Sequence, residues 1–450
     1  MQDLFKFFFR RKINILQPVI YKWIIGDWNN DGFKKYFNNT GWLFVARGAT
    51  FVTSFLTIAI VARYLGPENL GKLSYAQSFV AILSIFASLG IDQILYRDLS
   101  SYPEKEKEFL GTAIMSKFIF GIIAFSLAIL ISLLLHNEPL LTLLIGITAF
   151  TFLINPLGTI GILFQSRVQA KYSSQITIFL AFFIPALKLL VIFFDKGIIF
   201  FSLLLIIEAT INTIWSLYIY INKLKQNPSD WRFRSPVFKQ LMSDSWPFLL
   251  AGLFGYIYSR IDQIMLQHYL GSRSVGLYDV AVKLSNIWSF IPALIISSIF
   301  PALVNARKID RLIYLKRYKS LTILITIITF VVTIFVFFTA KPLISLLFGT
   351  QFLESVLILK IYIWSGAIAI IGILVQQYLI TENKGWIHLV MTLIGAVLNI
   401  ALNLILIPRY GMTGAAVATL FSYSVIPLGL FFFQQFRKDL QLLRTKQISN

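Results

Sequence analysis

Between residues 40 and 433 the chain alternates apolar stretches with short polar joints. Most stretches have the ~20 residues that a helix needs to cross the hydrocarbon layer of a bilayer. Polarity within them does not alternate residue by residue, which excludes a transmembrane β-barrel of short, two-faced strands. The pattern predicts twelve helical spans, at about 40–64, 73–95, 110–135, 139–164, 175–194, 198–220, 245–267, 278–300, 320–340, 356–380, 386–407 and 412–433. The longest internal joint, NKLKQNPSDWRFRSPVFKQLMSD, combines Pro, Asn and basic residues and reads as a solvated linker between two halves. The expected division is a basic arm at 1–39, a first six-helix lobe at 40–220, a linker at 221–244, a second lobe at 245–433 and a tail at 434–450. The arm opens MQDLFKFFFRRKINILQPVIYKWII. It mixes aromatics with Lys and Arg and has no small-residue cleavage site after an apolar core, so it reads as an interfacial amphipathic segment and not as a signal peptide.

Composition agrees with that pattern. Hydrophobic residues make up 57% and charged residues only 13%, and the mean hydropathy is +0.75. A soluble chain of 450 residues would need far more polar surface. The net charge of +20 would suggest nucleic acid in a soluble domain. Here the cations gather in the joints, so no nucleic-acid partner is expected. With the N-terminus inside, 28 of the 40 Lys and Arg fall in inside segments and 6 in outside loops. That imbalance predicts both termini on the cytoplasmic side of the membrane. There are no cysteines, and the three histidines, His136, His268 and His388, are scattered, so no metal site is expected. No glycine loop precedes a Lys-Ser/Thr pair, which argues against an ATP-driven pump.

An internal repeat is visible. YLGPENLGKLSYA, from Tyr64 to Ala76, aligns without a gap with YLGSRSVGLYDVA, from Tyr269 to Ala281. A fainter echo pairs ALKLLVIFFDKG with ALNLILIPRYG. Each strong copy leaves the first span of its half and enters the second. The repeats start on the same side of the membrane and are therefore parallel, as in transporters built from two lobes around a cleft. The tetrapeptide IDQI occurs at Ile91 and Ile261 at a different offset and reads as coincidence.

VARYLGPENLGKLSYAQSF, SRIDQIMLQHYLGSRSVGLYDVAVKL and PRYGMTGAAVATLFSY together resemble bacterial polysaccharide-export flippases of the O-antigen (Wzx) type, in the multidrug/oligosaccharidyl-lipid/polysaccharide exporter superfamily. The resemblance covers about residues 40–435. It implies an all-α polytopic membrane protein similar in fold to the multidrug and toxic-compound extruders (MATE-like), with two six-helix lobes around a V-shaped cavity. It also implies an activity, moving an undecaprenyl-diphosphate-linked oligosaccharide from the cytoplasmic to the periplasmic leaflet. The protein would be a transporter and not an enzyme, with the lipid bilayer and that oligosaccharide as partners. A polysaccharide polymerase and a chain-length regulator are further candidate partners.

A lipid diphosphate crossing an apolar slab needs cations to replace its lost hydration. The candidate substrate-binding residues are Arg47, Lys117, Lys188, Arg260 and Lys283. Arg260 leads them, because it lies well inside span seven close to Tyr256 and Tyr258. Snorkelling to the headgroups is the competing reading for Arg47 and Lys117, and the better one for Lys360. Candidate coupling or gating residues are Asp92, Glu208 and Asp262. Asp262 is expected to find a partner across the lobe interface or to hold a helix end. Glu208 is expected either to pair with Lys188 or to couple transport to an ion. No cofactor is expected beyond a coupling proton or sodium ion. Pro156, Pro185, Pro247, Pro292 and Pro427 are expected to kink their spans. A drug exporter of the same superfamily would favour an acidic cavity, whereas in-span cations predominate here. A polymerase, ligase or glycosyltransferase would need a sizeable outer loop with acid–base residues, and every outer loop is short. A passive scramblase would need the same groove as a coupled transporter.

Overall fold

The computed structural model describes residues 31–448. The first 30 residues of the expected interfacial arm lie outside that range. The chain is a bundle of helices, α1 (Asp31–Ser88), α2 (Asp92–Ser101), α3 (Glu106–Leu134), α4 (Pro139–Ala149), α5 (Thr151–Gly158), α6 (Ile160–Ser166), α7 (Ala170–Phe193) and α8 (Ile198–Asn222) forming the first half. The second half comprises α9 (Ser235–Leu270), α10 (Ser272–Ile287), α11 (Phe290–Ile309), α12 (Arg311–Leu347), α13 (Ser355–Thr381), α14 (Gly385–Leu430) and α15 (Gln434–Ile448).

Among the described residues, nine helical stretches are long and apolar enough to cross a membrane. Part of the difference from twelve is that α1 and α14 each run through a break. Gly66 (φ 69°, ψ 173°) interrupts α1, and Gly411 (φ 59°, ψ −139°) interrupts α14. Such angles are open essentially to glycine alone. The stretch expected as span four is delivered as α4, α5 and α6, with Pro156 inside α5. The segment expected as span eight breaks between α10 and α11, just before Pro292.

The sequence repeat has a structural counterpart. Gly271, which occupies the place of Gly66 in the second copy, has nearly the same backbone conformation (φ 79°, ψ 177°). Five residues on, Gly71 and Gly276 face each other where the second leg of α1 crosses α10. A Cβ on Gly71 would lie 1.7 Å from the Ser272 carbonyl oxygen, and one on Gly276 would lie 1.9 Å from the Pro67 carbonyl oxygen. Pro67 and Ser272 are themselves equivalent positions of the repeat. The crossing is therefore pseudo-symmetric and made backbone to backbone, as small residues permit in a membrane. Nearby, Gln351 donates to the Arg63 carbonyl at 3.0 Å and the Arg63 guanidinium donates to the Leu346 carbonyl.

The boundary between halves differs from the expected one. The joint after α8 ends at Arg234, ten residues before the expected end of the linker, because Pro236 near the N-terminus of α9 suits a helix start. The first part of α9 lies against the first half. A Cβ on Gly90 would meet the Leu249 backbone at 2.6 Å, Asp244 pairs with Arg97 at 2.6 Å, and Gln240 donates to Asp98 at 3.2 Å. The later part of α9 packs with α10 and α14. A second inter-half contact stacks Phe51 on Phe290, with ring centroids 4.6 Å apart. Residues 434–450, expected as a tail, include the helix α15, held by Asp439. Its carboxylate accepts from Arg311 at 2.6 Å and from the Tyr378 hydroxyl at 2.7 Å.

Gly71→Ala should destabilise the purified protein by roughly 1–3 kcal/mol, since a rigid carbonyl occupies the space. Gly161→Ala, which meets nothing within 4 Å, should be neutral or raise stability by up to about 1 kcal/mol. Thermal melts in detergent compare the two, and equal melting temperatures would remove the crossing as a constraint.

Candidate functional site

The candidate charges divide into those with a local partner and those without. Lys117 is buried in α3, only 8% exposed. Its ammonium pairs with Asp92 at the start of α2 and donates to the Thr159 hydroxyl at 3.1 Å. Three segments of the first half meet at that one charge. Asp92 itself is half exposed. Lys360 rests over the Phe337 ring, 5.3 Å from its centroid.

Arg47 is exposed on α1, and no hydrogen bond or ion pair holds it among the described residues. Lys188 on α7 and Glu208 on α8 form no ion pair with each other. They lie within electrostatic range, and Lys188 is also within range of Lys283 on α10, in the other half. Lys283 is ion-paired to Asp279, one turn before it, at 2.5 Å. Arg260 on α9 is half-buried. Among the described residues no carboxylate pairs with it and no hydrogen bond restrains it. Its charge acts on Asp262, Tyr362 and Tyr423. Tyr258, two residues earlier, stacks on Tyr423 at 4.4 Å and donates to the Ser422 carbonyl at 3.2 Å. The arginine thus stands beside a fixed aromatic pair.

Asp262 is 3% exposed. Its carboxylate accepts from the Tyr278 hydroxyl at 2.5 Å, the Thr419 hydroxyl at 3.4 Å and the Gln263 amide N–H at 2.9 Å. All three donors belong to the second half, so the partner expected across the lobe interface is instead local. The residue that crosses is its neighbour. Gln263, 1% exposed, accepts at Oε1 from the Ser78 hydroxyl of the first half. Through Nε2 it donates to Asp279 at 3.4 Å.

Two further residues escaped the charge-based search. Asn399 and Asn403, on the first leg of α14, are both fully buried. The Asn403 amide donates to the Asn399 carbonyl oxygen at 3.0 Å, leaving Asn399 Nδ2 and Asn403 Oδ1 without partners among the described residues. Gly395 abuts Tyr258, and Gly411 lies near Leu270. This leg of α14 therefore runs alongside α9 in the same direction. Asn399 lies one turn beyond Gly395 on this leg, as Asp262 lies one turn beyond Tyr258 on α9. An Asn pair at i, i+4 in an otherwise apolar stretch was the available signal. Among the described residues no group of three or more His, Cys, Asp or Glu could hold a metal. An apolar hollow of about 460 Å³ is lined by Ile129, Leu143, Gly146, Phe150 and Ile206, among others, and by none of these charges.

A family model described as polysaccharide biosynthesis protein matches residues 36–307. The chain belongs to this family. It is 22% identical over 410 residues to the capsular polysaccharide biosynthesis protein CapF of Staphylococcus aureus, covering 88% of this chain and 98% of the relative. It is 24% identical over 391 residues to the probable low-salt glycan biosynthesis flippase Agl15 of Haloferax volcanii, covering 85% and 80%. Among solved structures it is similar to the inward-facing form of a MATE-family multidrug resistance transporter of the MOP superfamily. The TM-score is 0.70 at 13% identity, over 88% of this chain and 96% of that one. The lipid II flippase MurJ, inward closed, has the same TM-score at 16% identity, over 92% and 93%. The all-α, polytopic, MATE-like fold is thereby established for this member of the polysaccharide biosynthesis family.

The Lys117–Asp92 pair gives an asymmetric expectation. Asp92→Ala strands a buried ammonium and should cost roughly 3–5 kcal/mol. Lys117→Met leaves a half-exposed carboxylate and should cost under about 1 kcal/mol. Melting of the two variants checks this, and a substrate-binding role for Lys117 would be favoured if neither melts early.

Proposed function

We propose that this protein is a glycan flippase of the MOP superfamily, a multi-pass membrane transporter and not an enzyme. Family membership, flippase-named relatives and the MurJ-like fold support that much. The finer reading is that the cargo is an undecaprenyl-diphosphate-linked oligosaccharide. It would move from the cytoplasmic to the periplasmic leaflet of the inner membrane by alternating access of two lobes, with both termini cytoplasmic.

The observation that carries this reading is Arg260, a half-buried guanidinium on α9 that forms no ion pair and no hydrogen bond among the described residues, with only the enclosed Asp262 carboxylate within electrostatic range. A charge is retained in such a place when a ligand supplies the counter-charge. The planar fork of an arginine suits phosphate oxygens. Lys188 and Lys283, one from each half and within electrostatic range of each other, suit the same anion. Exposed Arg47 would serve at the inner entrance. This preponderance of cations argues against a carrier of cationic drugs.

In a host lacking surface polysaccharide, Arg260→Ala at matched membrane expression should abolish complementation, and Arg260→Lys should restore part of it. Full activity of Arg260→Ala would sink the phosphate-site reading.

For coupling, the candidates are two buried oxygen-bearing pairs, Asp262 with Thr419 and Asn399 with Asn403, the latter with an orphaned Asn403 carbonyl. Hard oxygen donors of this kind suit a sodium ion, and a single buried carboxylate suits a proton. If sodium binds, the melting temperature of the full chain should rise by a few degrees in sodium over N-methylglucamine chloride, and Asp262→Asn should erase the rise. No rise, together with pH-independent transport, would make both pairs purely structural.

A further inference from the structure

A continuous polar chain runs beneath the Gly71–Gly276 crossing and joins the seam between the halves to a cation of the proposed cargo site. Ser78 of α1 donates to Gln263 of α9, Gln263 donates to Asp279 of α10, and Asp279 is paired with Lys283. Ser78, Gln263 and Asp279 are each at most 1% exposed, whereas the Lys283 side chain is 28% exposed. The chain has direction. Gln263 must present its NH2 to the carboxylate, so its carbonyl is the group turned toward Ser78. One end is sealed between the halves and the other ends on an ammonium that an anion could reach.

We propose that this chain is a cargo-sensing latch: an anionic cargo takes Lys283 from Asp279, and the carboxylate left without its counter-charge opens the seam. This rests on the reading of the cargo as a phosphate-bearing anion. The physical reason is the asymmetry of buried ion pairs. An intact pair is near neutral in its effect, but a buried carboxylate that has lost its partner is strongly unfavourable. Asp279 relieves that cost by taking up a proton, which leaves the seam shut, or by reaching water, which in the latch means displacing its bond to Gln263. Gln263 then has no anion to orient it, and its bond to the first half fails with it. The repeat underlines the specialisation. Asp279 and Lys283 occupy the places that Ser74 and Ser78 hold in the first copy, so only one copy carries the charge pair.

The natural absence of cysteine allows a direct test. Ser74 is 3% exposed and shares the crossing face of α1 with Gly71 and Ser78. Ser74→Cys in the full chain, reconstituted in vesicles, reports opening through its rate of labelling by a membrane-impermeant maleimide. Labelling should be slow in this background and roughly tenfold faster with undecaprenyl diphosphate in the bilayer. Lys283→Gln should label fast without the lipid, because it strands Asp279. Asp279→Asn should label slowly with or without the lipid while still binding it, as read by quenching of tryptophan fluorescence. The double variant, which carries no charge, should return to slow labelling. If both single variants label fast and the double variant does not recover, the pair merely stabilises the fold and the latch is overturned. Slow labelling of Lys283→Gln, or a lipid response retained in Asp279→Asn, also overturns it. If neither the parent chain nor Asp279→Asn binds the lipid, while Lys283→Gln labels fast and Asp279→Asn and the double variant label slowly, the latch stands and the cargo reading alone falls.

Discussion

Two glycines at equivalent places in a repeat allow α1 and α10 to touch backbone to backbone, and the arrangement of the two halves follows from that contact. In a membrane there is no hydrophobic drive to press helices together, so close packing of small residues has to supply the attraction. Gly71 and Gly276 meet this need as a pair, each blocked by a carbonyl from the other copy. The crossing brings Ser78 against Gln263 and sets Lys283 of one half within range of Lys188 of the other.

Around that contact the apolar medium sorts the charges. Groups that serve architecture have partners: Lys117 with Asp92, Glu106 with Arg167, Arg307 with Glu382, and Asp439 with Arg311 and Tyr378. Most of these pairs lie near helix ends, where water is close and an ion pair costs little. Arg260 and Lys188 depart from the rule, and departures inside an apolar slab point to function. Asp262 is intermediate, with its carboxylate supplied by neutral donors and no cation in direct contact.

The long helix α9 belongs to both halves. Its first part is held to the first half by Asp244, Gln240 and the close approach of Leu249 to Gly90, while its later part carries Arg260, Asp262 and Gln263 into the second. Pro247 lies inside it. The principal candidate cation thus sits on a helix that is packed against both halves.

Apolar stretches, loop cations and the Tyr-Leu-Gly repeat were enough by themselves to determine an all-helical membrane protein, its parallel internal repeat and the residues worth suspecting. These are properties of single segments, and the bilayer makes them legible because it tolerates so few alternatives. The structure was needed to decide which suspects have partners. Lys117 and Arg260 look alike in sequence, yet one is paired and buried while the other forms no ion pair among the described residues. Asp92 and Asp262 share the tetrapeptide IDQI, yet one is half exposed and the other fully enclosed by α10 and α14. Gln263, Asn399 and Asn403 were passed over because they carry no charge. The importance of Gln263 arises only where helices distant in sequence converge, whereas the Asn399–Asn403 pair was open to view at i, i+4. A span declares its own polarity, but the partner of a buried polar group is chosen by packing between spans, and no single segment encodes that.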